Sequence, residues 1–159
     1  MFDEIFGLPA HPLIIHFAVV LTPLLAAVAV AYALLPRRRP VLAWAVVLLS
    51  LAAPAAVFAA RESGEALRRA RFATADGVLG ERIATHQSFA TPLLLSVAGL
   101  SAAALVLVYG TTSSRDSVGD RFGRAATIAV SAVTVAIAAV VGYYVFRAGD
   151  SGARAVWAV

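Results

Sequence analysis

The chain carries three histidines, and each stands where an apolar run begins. His11 and His16 fall within Leu8-Pro9-Ala10-His11-Pro12-Leu13-Ile14-Ile15-His16-Phe17, and His86 opens a later run. Imidazole titrates near neutral pH and ligates transition metals and haem iron. Ionisable side chains are rare in membrane-spanning segments, so one placed there is a candidate functional group. Three carboxylates lie past the far ends of two other runs: Glu62, Glu65 and Asp150. Neutral imidazoles from facing helices, such as His16 and His86, can fill the axial positions of a haem b iron. The metal-ligand candidates His11, His16, His86, Glu62, Glu65 and Asp150 form a nitrogen–oxygen set suited to Zn, Fe or Cu. Each residue also has a plainer role. His11 could cap a helix start before Pro12, His86 could do the same for its own run, and His16 could hydrogen-bond across a bundle. The carboxylates could be solvated charges at the membrane interface.

These residues sit in a chain of 159 residues that is 61% hydrophobic and 14% charged, with mean hydropathy +0.86. Soluble domains are about 45–50% apolar and about 25% charged. The long apolar runs therefore indicate an integral membrane protein surrounded by a lipid bilayer. All of the net charge of +4 comes from arginine, since lysine is absent. Those arginines lie between apolar runs, so they act as topology signals and no nucleic-acid partner is expected. With no cysteine, disulfides and thiolate-ligated clusters are excluded, and Met1 alone makes no methionine-rich copper site. The first run is preceded by Asp3 and Glu4 and is too long for a signal-peptide core, so it reads as a retained helix.

The expected fold is an all-α integral membrane four-helix bundle, a single domain over residues 1–159. Spans are expected over residues 12–35, 41–60, 86–109 and 125–146, each near the roughly 20 residues a helix needs to cross the hydrocarbon core. The connector Pro36-Arg37-Arg38-Arg39-Pro40 is short and basic. A second, Gly110 to Arg124, carries Arg115, Arg121 and Arg124 against Asp116 and Asp120. Clustered positive charge marks the cytoplasmic side, so both termini are expected outside a bacterial inner membrane. Between Arg61 and Thr85, the spacing of Glu65, Arg68 and Arg69 predicts that the second helix continues over residues 63–72 with ion pairs along it. This long polar connector is either a solvated extension or a lid over a site at that end.

The halves of the chain echo one another. Thr22-Pro23-Leu24-Leu25 matches Thr91-Pro92-Leu93-Leu94, and Glu62-Ser63-Gly64 matches Asp150-Ser151-Gly152. Two pseudo-repeated hairpins would be related by an axis along the membrane normal. The Thr-Pro match pairs His16 with His86 and predicts that they face each other or a shared cavity. Registering on Tyr32 and Tyr109 instead brings His86 nearer the level of His11.

The opening at residues 8–17 resembles that of the DUF2231 family of small bacterial membrane proteins. Ser63-Gly64-Glu65-Ala66, His86 at the head of a run, and Gly149-Asp150-Ser151-Gly152-Ala153 add to the resemblance, which covers nearly the whole chain. It implies a four-helix membrane domain whose biochemical role is not established. The chain departs from the family at Ala18, where proline is frequent, and at Asp150, where many members carry histidine.

Three functions are consistent with these residues. One is a haem or metal protein engaged in electron transfer with a membrane redox partner or as a homo-oligomer. Another is a non-catalytic scaffold or accessory subunit whose histidines only join helices. The third, a proton-linked carrier, fits least, because four short helices with few inner polar residues offer little to carry protons. No catalytic motif is visible.

Overall fold

The structure is a computed structural model that describes residues 4–5, 7–112 and 121–157. Strands β1 (Glu4–Ile5) and β2 (Leu8–Pro9) form a two-residue antiparallel ladder. Gly7 turns between them at φ 78°, where only glycine is unstrained. Five α-helices follow among the described residues, α1 (Ala10–Leu34), α2 (Arg39–Arg71), α3 (Gly77–Ser88), α4 (Ala90–Thr111) and α5 (Gly123–Trp157), with a single 3-10 turn at Pro36–Arg38 between α1 and α2. Of the basic 110–124 connector, residues 113–120, with Arg115, Asp116 and Asp120, lie outside the described residues.

Among the described residues, four helical stretches are long and apolar enough to cross a membrane. The chain is an integral membrane protein built as an all-α four-helix bundle. Helices satisfy their own backbone groups, which lipid cannot do. α1 and α4 each pack against both α2 and α5, so α1 lies diagonally across from α4. α3 leans on the end of α5. The interior is small and aliphatic, with Leu25, Val46, Val97, Leu100, Leu107 and Val141 buried. Phe17, Val20, Trp44, Leu51, Leu95 and Phe146 are exposed around the outside. In water such a surface would be a liability, but in lipid it is matched.

Proline sets the local breaks. Pro36 and Pro40 occupy first-turn positions, where a missing N–H costs nothing. Pro92 cannot donate to the Ser88 carbonyl, and the third apolar stretch breaks at Phe89 into α3 and α4. His86 therefore sits in the last turn of α3, not at the head of a span. α2 runs unbroken as helix to Arg71, past the 41–60 core and through the polar 61–71 stretch.

The two halves repeat, and burial gives the register. Thr22 and Val97, Leu25 and Leu100, Ala29 and Ala104, and Tyr32 and Leu107 are each 75 residues apart, and all are buried. Ala53 and Val141, and Ser63 and Ser151, are 88 apart and also buried. The Thr-Pro match does not fit this register: Thr22 is buried whereas Thr91 is exposed. α1 runs unbroken through Thr22-Pro23, whereas the chain breaks at Phe89 just before Thr91-Pro92, so the two Thr-Pro pairs sit in different local structures.

Candidate functional site

The repeat places His11, on α1, opposite His86, on α3, at the same end of the bundle. Each imidazole crosses to a neighbouring helix in the same way. His11 Nδ1 lies 2.9 Å from the Ala60 carbonyl oxygen and 3.2 Å from Ser63 Oγ on α2. His86 Nδ1 lies 3.1 Å from the Ala148 carbonyl oxygen and 3.2 Å from Ser151 Oγ on α5. A carbonyl oxygen only accepts, so Nδ1 carries the proton and donates it. In the neutral ring this leaves the lone pair on Nε2. Both serine hydroxyls also donate to the same carbonyls, at 3.0 Å and 3.1 Å.

Glycine makes this approach possible. A Cβ at Gly64 would lie 3.1 Å from His11 Cε1, and one at Gly152 would lie 3.0 Å from His86 Cε1. Small residues let side chain and helix meet this closely. The unit is thus histidine on one helix and Ala-x-x-Ser-Gly on the next, present twice. The Ser-Gly pairs are visible in the sequence, within the Glu62-Ser63-Gly64 and Asp150-Ser151-Gly152 match. Their contribution is the hydroxyl and the missing Cβ.

His16 lies elsewhere. α1 begins at Ala10, so both His11 and His16 are helical. Five residues turn a helix by roughly 140°, which points the two rings in different directions. His16 is exposed on the outside of the bundle, with Nδ1 donating to the Pro12 carbonyl at 2.6 Å within its own helix. The expected meeting of His16 with His86 does not occur, and His11 takes that place.

The three carboxylates are each paired with an arginine on their own helix. Glu62 and Glu65 both pair with Arg61, at 2.7 Å and 2.8 Å. Glu65 therefore uses the arginine four residues before it, not Arg68 or Arg69. Asp150 pairs with Arg154 at 2.9 Å. Among the described residues, no three of the histidine, aspartate and glutamate side chains converge so as to hold one metal ion.

Both histidines line one cavity of about 720 Å³, within the roughly 300–1,000 Å³ usual for small-molecule and cofactor sites. Its walls are mostly apolar, from Ile15, Ala18, Val57, Leu93 and Val145. The α2 extension, the following Phe72 and α3 also line it, through Leu67, Phe72 and Ile83. The polar connector is thus a wall of the cavity as well as a helical extension. Arg68 Nη1 bridges α2 to α3 by donating to Gln87 Oε1 at 3.0 Å.

The site lies at one edge of the expected hydrocarbon layer. Arg39 and Ala60 both lie on α2, and the rise between them is roughly 30 Å at 1.5 Å per residue, about the thickness of that layer. At the other end Tyr32 Oη and Thr111 Oγ1 are 2.8 Å apart, and Arg39 Nε donates to the Tyr32 carbonyl at 3.2 Å. These bonds join α1 to α4 and to the start of α2 at the end away from the cavity.

No family model, curated protein or solved structure matches the chain.

Proposed function

We propose that this protein holds a haem b between His11 and His86 and serves as a one-electron carrier in a bacterial inner membrane. The observation that carries the reading is the pair of related imidazoles, each fixed through Nδ1 to a carbonyl and each lining the same apolar cavity. A ligating histidine almost always donates its other ring N–H to a carbonyl, carboxylate or water, which sets the tautomer. A site with two protein ligands suits haem, whose porphyrin supplies the other four nitrogens. A bare Zn, Fe or Cu ion needs three or more protein ligands. His11 and His86 would hold the haem, which would supply one-electron chemistry there, so electron transfer to a membrane redox partner is the function that fits. The arginine cluster at residues 37–39 supports a topology with that end in the cytoplasm and the histidine end outside. Membership of the DUF2231 family is part of the same proposal, supported by the opening motif at residues 8–17 and the two Ser-Gly elements.

The test is a visible spectrum and iron analysis of the full chain purified in mild detergent. Expected are a haem spectrum with two histidine ligands and one iron per chain. His11→Ala and His86→Ala should each abolish it, and His16→Ala should leave it unchanged. Wild-type protein with neither haem nor a transition metal would overturn the reading. That result would favour a scaffold, for which the Nδ1 bonds alone are a sufficient reason for both histidines.

A further inference from the structure

The cavity has two long walls that the repeat makes alike in backbone but unlike in charge. On α2 the lining includes Arg61, Glu65, Arg68 and Arg69. The positions 88 residues later on α5 are Gly149, Ala153, Val156 and Trp157, none of them charged. Every α5 residue that lines the cavity is apolar. Arg61 is neutralised by Glu62 and Glu65. Arg68 and Arg69 have no carboxylate partner among the described residues, and Arg68 is held at the cavity by Gln87. A ligand centred between His11 and His86 therefore meets a basic wall on one side and an apolar wall on the other.

We infer that the cavity selects an amphipathic, planar dianion, with its two carboxylates against Arg68 and Arg69 and its apolar edge against Ala153 and Val156 of α5. Arginine is the residue suited to such contacts, because its planar fork matches a carboxylate. The inference rests on the haem reading, and haem b has this shape: two propionates on one edge, and methyl and vinyl groups on the other. A symmetric pair of walls would accept the ring in two orientations. The unequal walls fix which edge carries the carboxylates.

The test compares two probes with the full chain prepared free of haem in detergent: iron(III) protoporphyrin IX and its dimethyl ester. Esterification removes both charges and leaves the iron and ring intact. Wild type should bind the diacid about tenfold or more tightly than the diester, the range expected for charge-assisted hydrogen bonds. The double variant Arg68→Gln/Arg69→Gln should bind the two probes alike, with the diester affinity unchanged. Equal affinities in wild type would overturn this inference and leave the histidine site standing. Loss of both probes in the variant would assign the arginines to structure and also overturn it. Failure of wild type to bind either probe through His11 and His86 would remove the haem reading itself.

Discussion

Adding one methyl group at Gly64 or Gly152 tests the histidine geometry without touching a histidine. A Cβ at residue 64 would stand 3.1 Å from His11 Cε1 and 3.3 Å from its Nδ1. At residue 152 the distances to His86 are 3.0 Å and 3.2 Å. Carbon atoms prefer about 3.5–4.0 Å, so each ring would have to withdraw by about 0.5 Å. It is not free to do so, because the His11 Nδ1–H bond is already 2.9 Å long and the His86 bond 3.1 Å. Overpacking costs about 1–3 kcal/mol, and weakening the hydrogen bond costs about 0.5–1.5 kcal/mol. Glycine to alanine within a helix returns about 1 kcal/mol. The balance is a loss of about 0.5–3.5 kcal/mol for each variant, similar in the two halves because the contacts are similar. Gly142→Ala is the control, since a Cβ there meets nothing within 4 Å. It should leave stability unchanged or raise it by up to about 1 kcal/mol. The assay is denaturant-induced unfolding in detergent, followed by helical circular dichroism. If Gly64→Ala and Gly152→Ala stabilise the protein as Gly142→Ala does, the imidazoles do not sit against these helices and the site is misread.

Three further outcomes are expected. Tyr32→Phe removes the 2.8 Å bond to Thr111 Oγ1. Because that hydroxyl keeps its own bond to the Leu107 carbonyl, the loss should be about 1 kcal/mol, and a loss above 3 kcal/mol would mean Tyr32 does more than this. Gly110→Ala drives a Cβ into the Phe122 ring, so it should destabilise by about 1–3 kcal/mol, with Phe122→Ala restoring much of that loss in the double variant; additive losses would show that the two residues do not touch. A reporter active only in the cytoplasm should be silent when fused after Val159 and active when inserted between Arg38 and Arg39, and the reverse pattern would put the histidine end inside.

Much of the architecture was legible from composition. Apolar runs of membrane-spanning length in a chain without other options require helices, because lipid offers no partner for a backbone group. The continuation of α2 beyond its apolar part was legible too, from a polar stretch that keeps helical spacing. That the chain repeats itself was also readable, in the two Ser-Gly elements. The register of the first helix in each half was not. Thr22-Pro23 and Thr91-Pro92 agree in letters, but one threonine is buried in the bundle and the other is exposed beside a helix break. Only packing separates them. The choice between His11 and His16 depended on where α1 starts. A helix beginning at Ala10 carries both residues and turns them apart, so one ring faces α2 and the other faces outward. The carboxylates were near the histidines in the expected topology, but each is used in an ion pair with an arginine on its own helix. Sequence alone thus determined a four-helix membrane bundle with histidines gathered at one end, because hydrophobicity and spacing act along the chain. Tertiary structure decided which histidine pairs with His86, which groups hold them, and which wall of the cavity is charged, because those depend on helix rotation and depth.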